Sequence, residues 1–262
     1  MPVWMAALLL LVPALHAGTV VEWVASDWPG PGNDWVSRTG NQSFFYDTYG
    51  GSAPQKGTGT LYGATIATVV FDGNDFLTTP LEQYNRSWAG LSELSLTVVF
   101  RSETPKAAAS TDVHAFWNFK GILGFDVSDP DGGEFAIGVW DDGTKQGAVA
   151  AAAGLADDVG LSAGALNDGA WHVVTLVIAR QGEASFSQSV YADNRLVRSE
   201  NKLSYSTGSN ATVVANQPFS VGQIRSGANS PFTGSIAAIR LDASALSATE
   251  IGQLHRTYLG LK

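Results

Sequence analysis

The stretch FTGSIAAIRLDASALSATEIGQLHRTY, Phe232 to Tyr258, changes its period part-way along. Ser235–Leu241 reads as a β run. SATE, Ser247 to Glu250, then forms a capping box: the Ser247 hydroxyl accepts from the Glu250 amide while Glu250 reaches back to Ser247. Ile251, Leu254 and Tyr258 follow at i, i+3 and i+7, on one face of a helix. A helix this short does not stand alone in water, so it must pack on a sheet. The pattern predicts a chain that ends on one helix covering the edge or end of a sandwich.

What precedes it reads as strand and turn. Gly and Pro number 29 and 10 of 262 residues, above the average of about 12%. Frequent turns imply many short strands. In LSLTVVFRS, Leu94, Leu96, Val98 and Phe100 point one way while Ser95, Thr97 and Arg101 point the other. Ala170–Ala179, AWHVVTLVIA, is apolar on both faces, as expected of a central strand covered on each side. VFDGNDFL, Val70 to Leu77, reads as strand, Asp-Gly turn, strand. Further strands are expected at 113–119, 121–127, 133–140, 186–192, 194–198 and 217–223. Residues 47–60, 102–112 and 199–212 read as polar loops, and the Ala-rich 147–166 as a strand end and a loop. No repeat period or interdomain linker appears, so residues 18–262 read as one domain.

Residues 1–17 read as a signal peptide. MPVWMAALLLLVPALHAG has an apolar run from Trp4 to Leu15, too short to span a bilayer, and Ala17 at a plausible cut. The expectation is a secreted or extracytoplasmic protein, in the periplasm or at the cell surface, with no membrane span in the mature chain. The net charge is −9. An acidic surface argues against nucleic acid, whose phosphates need Lys and Arg. There is no cysteine, which removes thiol chemistry and suits a bacterial exported protein better than an animal one.

Several segments in this order resemble the concanavalin A-like lectin/glucanase superfamily, in its laminin-G-like bacterial branch. VVFDGNDFL (69–77) is similar to that family's early strand-turn-strand, and LNDGAWHVVTLVIA (166–179) to its DG-x-WH strand. SVYADNRLV (189–197) is similar to its Y-x-DG-x-x-V hairpin, with Asn194 where Gly is usual. Asn tolerates the positive φ that such a turn requires. FSVGQI (219–224), FTGSIAAIRL and ALSATEIGQL resemble the closing strands and terminal helix, and VEWVASDWPGPGNDWVSRTG (21–40) the opening strand and Trp loop. The resemblance implies an all-β fold: a two-sheet antiparallel jelly-roll sandwich with a short C-terminal helix. It also implies extracellular binding, often to glycans, sometimes with calcium at the rim. The same sandwich hosts lectins, glycosidases and spacers, so the fold does not fix the function.

Catalytic constellations are missing. Hydrolases of this superfamily are similar in carrying Glu-x-Asp-x-(x)-Glu on one strand, and glycoside hydrolysis usually needs two facing carboxylates. GGEFAIGVW offers only Glu134. His172, beside Trp171, reads as a packed, hydrogen-bonded histidine rather than a base. The expectation is therefore no enzyme. The partner expected is a glycan or extracellular polysaccharide, bound by a non-catalytic carbohydrate-binding or adhesion module. A glycoside hydrolase or lyase relative and a ligand-free structural spacer are the alternatives.

Sugars stack on aromatic rings while hydrogen bonds fix their orientation. Trp117 with Asn118, and Trp140 with Asp141, sit on strands expected to be neighbours and suit such a platform; the same tryptophans would equally serve as core. Trp28 and Trp35, in a Pro/Gly-rich loop, are expected at the surface, and Trp171 in the core. Asp126, Asp129 and Asp131 in FDVSDPDGGEF, and Asp141 in WDDG, read either as hairpin turns or as calcium ligands. Calcium is the one cofactor these turns admit.

Overall fold

The strand and helix of the C-terminal stretch form as their pattern demands, Thr233–Asp242 and Ala248–Tyr258. A computed structural model describes residues 19–39, 43–46, 53–79, 93–102, 120–125, 135–140, 148–153, 159–181, 185–203, 219–224 and 231–260. In chain order the strands are β1 (Thr19–Val24), β2 (Trp35–Val36), β3 (Ser43–Tyr46), β4 (Gln55–Leu61), β5 (Ala64–Asp72), β6 (Leu77–Thr78), β7 (Leu94–Arg101) and β8 (Lys120–Phe125). They continue as β9 (Phe135–Trp140), β10 (Ala148–Ala153), β11 (Val159–Ala165), β12 (Trp171–Arg180), β13 (Ser185–Ala192), β14 (Arg195–Leu203), β15 (Ser220–Val221) and β16 (Thr233–Asp242). The helix α1 (Ala248–Tyr258) closes the chain.

These strands make two sheets. The first runs β14-β13-β12-β7-β16-β5-β4, with β1 paired to the far half of β16; the second runs β11-β10-β9-β8-β15-β6-β3-β2. Neighbouring strands are antiparallel, for instance β7 with β12 and β16. Leu94, Leu96, Val98 and Phe100 of β7 and Val174, Leu176 and Ile178 of β12 face inward, against Ile122, Phe135, Ile137 and Val139 of the second sheet. Each fully buried side chain of this kind contributes about 1.5–3 kcal/mol. The expected sandwich is therefore present, with its core between the layers.

β12 is central, as its two-sided apolarity predicts, because a second apolar cluster lies on the outer face of the first sheet. Val99, Val173 and Val177 of the sheet meet Ile251, Leu254, Tyr258 and Leu259 from α1 and its end. The capping box is formed: Glu250 N donates to Ser247 Oγ at 3.3 Å and Ser247 N to Glu250 Oε2 at 2.8 Å. Replacing Ser247 with Ala removes that acceptor and should cost about 1 kcal/mol. An unchanged urea midpoint would show that tertiary packing alone sets the helix start.

Several expectations change. Residues 55–60, read as loop, belong to the edge strand β4, and 148–153 and 159–165 are two paired strands, β10 and β11. Residues 199–203 continue β14 instead of starting a loop. VFDGNDFL does contain two strands around its turn, but they join different sheets, β5 the first and β6 the second. Gly73 at φ 91° makes that corner possible. The strand expected at 113–119 lies outside the described residues.

Candidate functional site

Trp28 and Trp35 depart most clearly from expectation. Neither is at the surface: they are 1% and 0% exposed and belong to the core between the sheets. The loop from Ala25 to Asp34 folds back so that each indole finds a carbonyl. Trp28 Nε1 donates to Asn33 O and Trp35 Nε1 to Val24 O, both at 3.0 Å. Lys56 Nζ on the neighbouring β4 donates to Trp28 O at 2.9 Å. A ring of this size gains more from burial than a Pro/Gly-rich loop loses by closing over it. Neither ring offers a face to a sugar.

Trp171 is half-buried on the outer face of the first sheet, packed against the second cluster. Its ring lies on β4, where a Cβ at Gly59 would come within 2.6 Å of Trp171 Cζ2. Gly59 is therefore the clearance that lets the indole approach the strand closely. Beyond β4, Tyr62 is 63% exposed and sits at φ 48° in a Tyr-Gly turn. A bulky side chain rarely adopts that backbone. Nothing in the sequence singles out this residue, because the Gly-rich strand before it carries a weak strand signal.

His172 is the most fully engaged titratable group of the sequence reading. Its Nδ1 lies 2.7 Å from Asp193 Oδ2 and its Nε2 lies 3.0 Å from Asp168 Oδ1. Asp193 Oδ1 also accepts from Val173 N, and Asp168 Oδ1 from Ala170 N. Burial works to lower the imidazole pKa, but the hydrogen bonds of the two carboxylates outweigh it and hold it above its ordinary value. The expectation of a packed, hydrogen-bonded histidine is met.

Beneath α1 a polar row crosses five strands. Tyr191 pairs with Thr175, Thr175 with Thr97, Thr97 with Arg240, and Arg240 with Glu22. Glu22, Arg240 and Asp242 are each 1% exposed. Arg240 grips Asp242 from two nitrogens, Nε to Oδ2 at 2.9 Å and Nη2 to Oδ1 at 2.8 Å. Tyr258 on the helix donates to Glu22 Oε1 at 2.7 Å. Burial drives the Tyr258 phenol far above its usual range, so it remains a neutral donor. These groups are covered, and they hold the helix rather than a ligand.

The described Asp-Gly turn behaves as local turn chemistry. Asp72 N donates to Asp75 Oδ1 and Asn74 N to Asp72 Oδ1, both at 2.9 Å. Burial pushes the Asp75 carboxyl up to about 6. Asp126, Asp129, Asp131 and Asp141 lie outside the described residues, as do Trp117 and Asn118. Trp140 ends β9, opposite Ala148, but its side chain is not among those described. Among the described residues no cluster of three or more His, Asp or Glu could hold a metal ion. Nor is any described helix long and apolar enough to cross a membrane.

Solved structures share the architecture. Domain 4 of AbnA, a GH43 extracellular arabinanase from Geobacillus stearothermophilus, in complex with arabinotriose, is 15% identical; the match covers 91% of this chain and 98% of that one, with a TM-score of 0.57. The binding domain of Paraclostridial Mosquitocidal Protein 1 is 13% identical over 92% of this chain and 52% of that one, with a TM-score of 0.57. A GH54 α-L-arabinofuranosidase is 9% identical over 88% of this chain and 51% of that one, again with a TM-score of 0.57. This chain thus spans about half the length of the latter two. No curated protein sequence matches it significantly. Residues 100–252, more than half of the chain, match the Laminin_G_3 family. With two antiparallel sheets and a docked terminal helix to accompany that match, the chain belongs to Laminin_G_3, in the concanavalin A-like lectin/glucanases superfamily.

Proposed function

We propose that this protein is a secreted, non-catalytic glycan-binding module whose residues 1–17 are removed on export. The observation that carries the reading is the overlay on a domain bound to arabinotriose, which accounts for 98% of that chain. The same fold accounts for only 51% of the arabinofuranosidase. The match to nearly the whole of a domain that holds a sugar supports a binding module. Short neutral oligosaccharides are the ligand class, and the acidic chain does not oppose them as it would a polyanion.

Trp117 and Trp140, with Asn118 and Asp141 beside them, are the proposed platform. Calcium at Asp126, Asp129, Asp131 and Asp141 would order the neighbouring turns. Calorimetric titration with arabinotriose, followed by a wider glycan array, tests the reading. Trp117→Ala and Trp140→Ala should each weaken binding about tenfold or more at unchanged melting temperature. Chelation of divalent metal should weaken it too if calcium orders the rim. No binding to any glycan would leave the spacer reading, and release of shorter sugars from the oligosaccharide would replace the module by a hydrolase.

A further inference from the structure

The turn between β13 and β14 is gripped by two histidines from opposite sides. Asp193 and Asn194 form it, at φ 47° and 68°. His172 of β12 holds the Asp193 carboxylate, and His255 of α1 accepts the Asn194 N–H at Nδ1, 2.9 Å away. The helix also touches the turn directly. A Cβ on Gly252 would lie 2.8 Å from Asn194 Oδ1. We propose that this turn is a pH-bracketed clamp that fastens α1 to the first sheet, closed only while His255 is neutral and tightest while His172 is charged.

Hydrogen-bond bookkeeping fixes both states. An ionised carboxylate only accepts. His172 has one carboxylate oxygen at each ring nitrogen, so both nitrogens must donate and the ring is an imidazolium. Removing one proton would set a ring lone pair against a carboxylate oxygen. Asp168, whose side chain is 51% exposed against 35% for Asp193, lets go first, so the remaining N–H stays on Asp193 and the grip on the turn loses its charge rather than its hydrogen bond.

For His255 the opposite holds. A backbone N–H can only donate, so Nδ1 carries a lone pair. Nε2 then carries the hydrogen and donates to Thr175 Oγ1 at 2.8 Å. The Thr175 hydroxyl shares a further hydrogen bond with Thr97 Oγ1 at 2.8 Å. A proton added to Nδ1 would face the Asn194 N–H, in a site where His255 is 0% exposed. The clamp therefore breaks in acid, where His255 loses its lone pair, and only loosens in alkali, where His172 loses its charge.

The surrounding charges agree with this assignment. Facing the two rings are Asp168 from the loop before β12 and Asp193 from the turn, followed there by Arg195. On α1 Arg256 follows His255 and Tyr258 lies three residues on, while Tyr191, Arg240 and Glu22 share the cross-strand row of Thr175, the hydrogen-bond partner of His255. β7 contributes the uncharged Phe100 ring, 6.0 Å from His172. Burial lowers His255 to about 4, with the Asp193 charge opposing it. His172 is raised. The signs follow from proton counts. The His255 contribution is complete above its ordinary value near 6.5 and is lost as pH falls toward about 4. The His172 contribution is complete below its ordinary value and is lost as pH rises through its raised one.

Nitrogen-15 spectra of the imidazoles, with amide exchange of α1 and Asn194 corrected for its intrinsic pH dependence, test the clamp on the unmodified protein. The expected result near neutral pH is two ring protons on His172 and an Nε2-protonated neutral His255. Protection of α1 should then fall by up to about tenfold per pH unit below roughly 6.5. In His255→Gln the acid loss should vanish, whatever the starting protection. In Asp168→Asn the alkaline loss should begin at lower pH. A single ring proton on His172 near neutral pH, or α1 protection that ignores acid in the unmodified protein, overturns the proposal.

Discussion

Asp242→Ala should lower the unfolding free energy by about 3–5 kcal/mol, since it strands a buried guanidinium. Arg240 and Asp242 are two residues apart on β16, so the pleat puts both on one face. That face would be solvated in an open sheet, but α1 covers it and leaves both side chains 1% exposed. The guanidinium cannot shed its proton at any ordinary pH. Without Asp242 its near negative charge is Glu22, one strand away, and Glu22 Oε1 is already taken by Tyr258. Glu22 softens the loss without replacing a two-point grip. Urea unfolding should show the midpoint falling, and the melting temperature should drop by roughly 10 °C. Asp242→Asn keeps one acceptor and should lose less. Arg240→Met with Asp242→Leu removes both charges and should recover most of the stability. A loss under about 1 kcal/mol for Asp242→Ala would mean that water reaches the guanidinium and the helix does not seal the row.

The same row shows what a one-dimensional pattern omits. In IAAIRLD, read only as a β run, Ile239 and Leu241 lie in the core between the sheets and Arg240 and Asp242 on the opposite face. What it does not reveal is that the opposite face is covered. The information lies later in the chain, in the helix, where His255 and Tyr258 are the polar tips that meet the sheet. The helix itself was legible because its cap and its apolar spacing are local. β7 and β12 were legible for the same reason, each having a periodicity that survives in any context. The Asp193–Asn194 turn was legible because only a few residue types accept its backbone.

Other elements depend on contacts distant in sequence. QKGTGTL carries two glycines that weaken any strand signal, yet Gly59 is the residue on which Trp171 lies. The Ala-rich β10 and β11 offer no contrast between faces, so no period emerges. VFDGNDFL gives its turn clearly, but a tight turn does not reveal whether the chain stays in one sheet or passes to the other. Trp28 and Trp35 belong to the same class. Their local context is a loop, whereas the carbonyls that receive their indoles and the core that holds their rings are set by the fold. The proposed platform at Trp117 and Trp140 rests on strand neighbourhood and residue type, which is why its test is a binding measurement.

Trp35→Ala separates core from platform. Its ring is 0% exposed and its Nε1 donates to Val24 O across eleven residues of chain. Truncation opens a void in the inter-sheet core and leaves a buried carbonyl without its indole donor. Deletions of a buried Trp typically cost about 3–5 kcal/mol, and the orphaned acceptor adds to the upper part of that range. A sugar-stacking tryptophan behaves in the opposite way, because removing an exposed ring costs affinity and little stability. Two measurements on each variant therefore place it: a urea midpoint, and arabinotriose titration well below the melting temperature. Trp35→Ala should move the midpoint strongly and leave the remaining folded protein binding as before. Trp117→Ala and Trp140→Ala should do the reverse. If Trp35→Ala instead lost binding at an unchanged midpoint, the loop would have to open in solution and present its ring, and the burial that places Trp35 in the core would not be the state that meets the ligand.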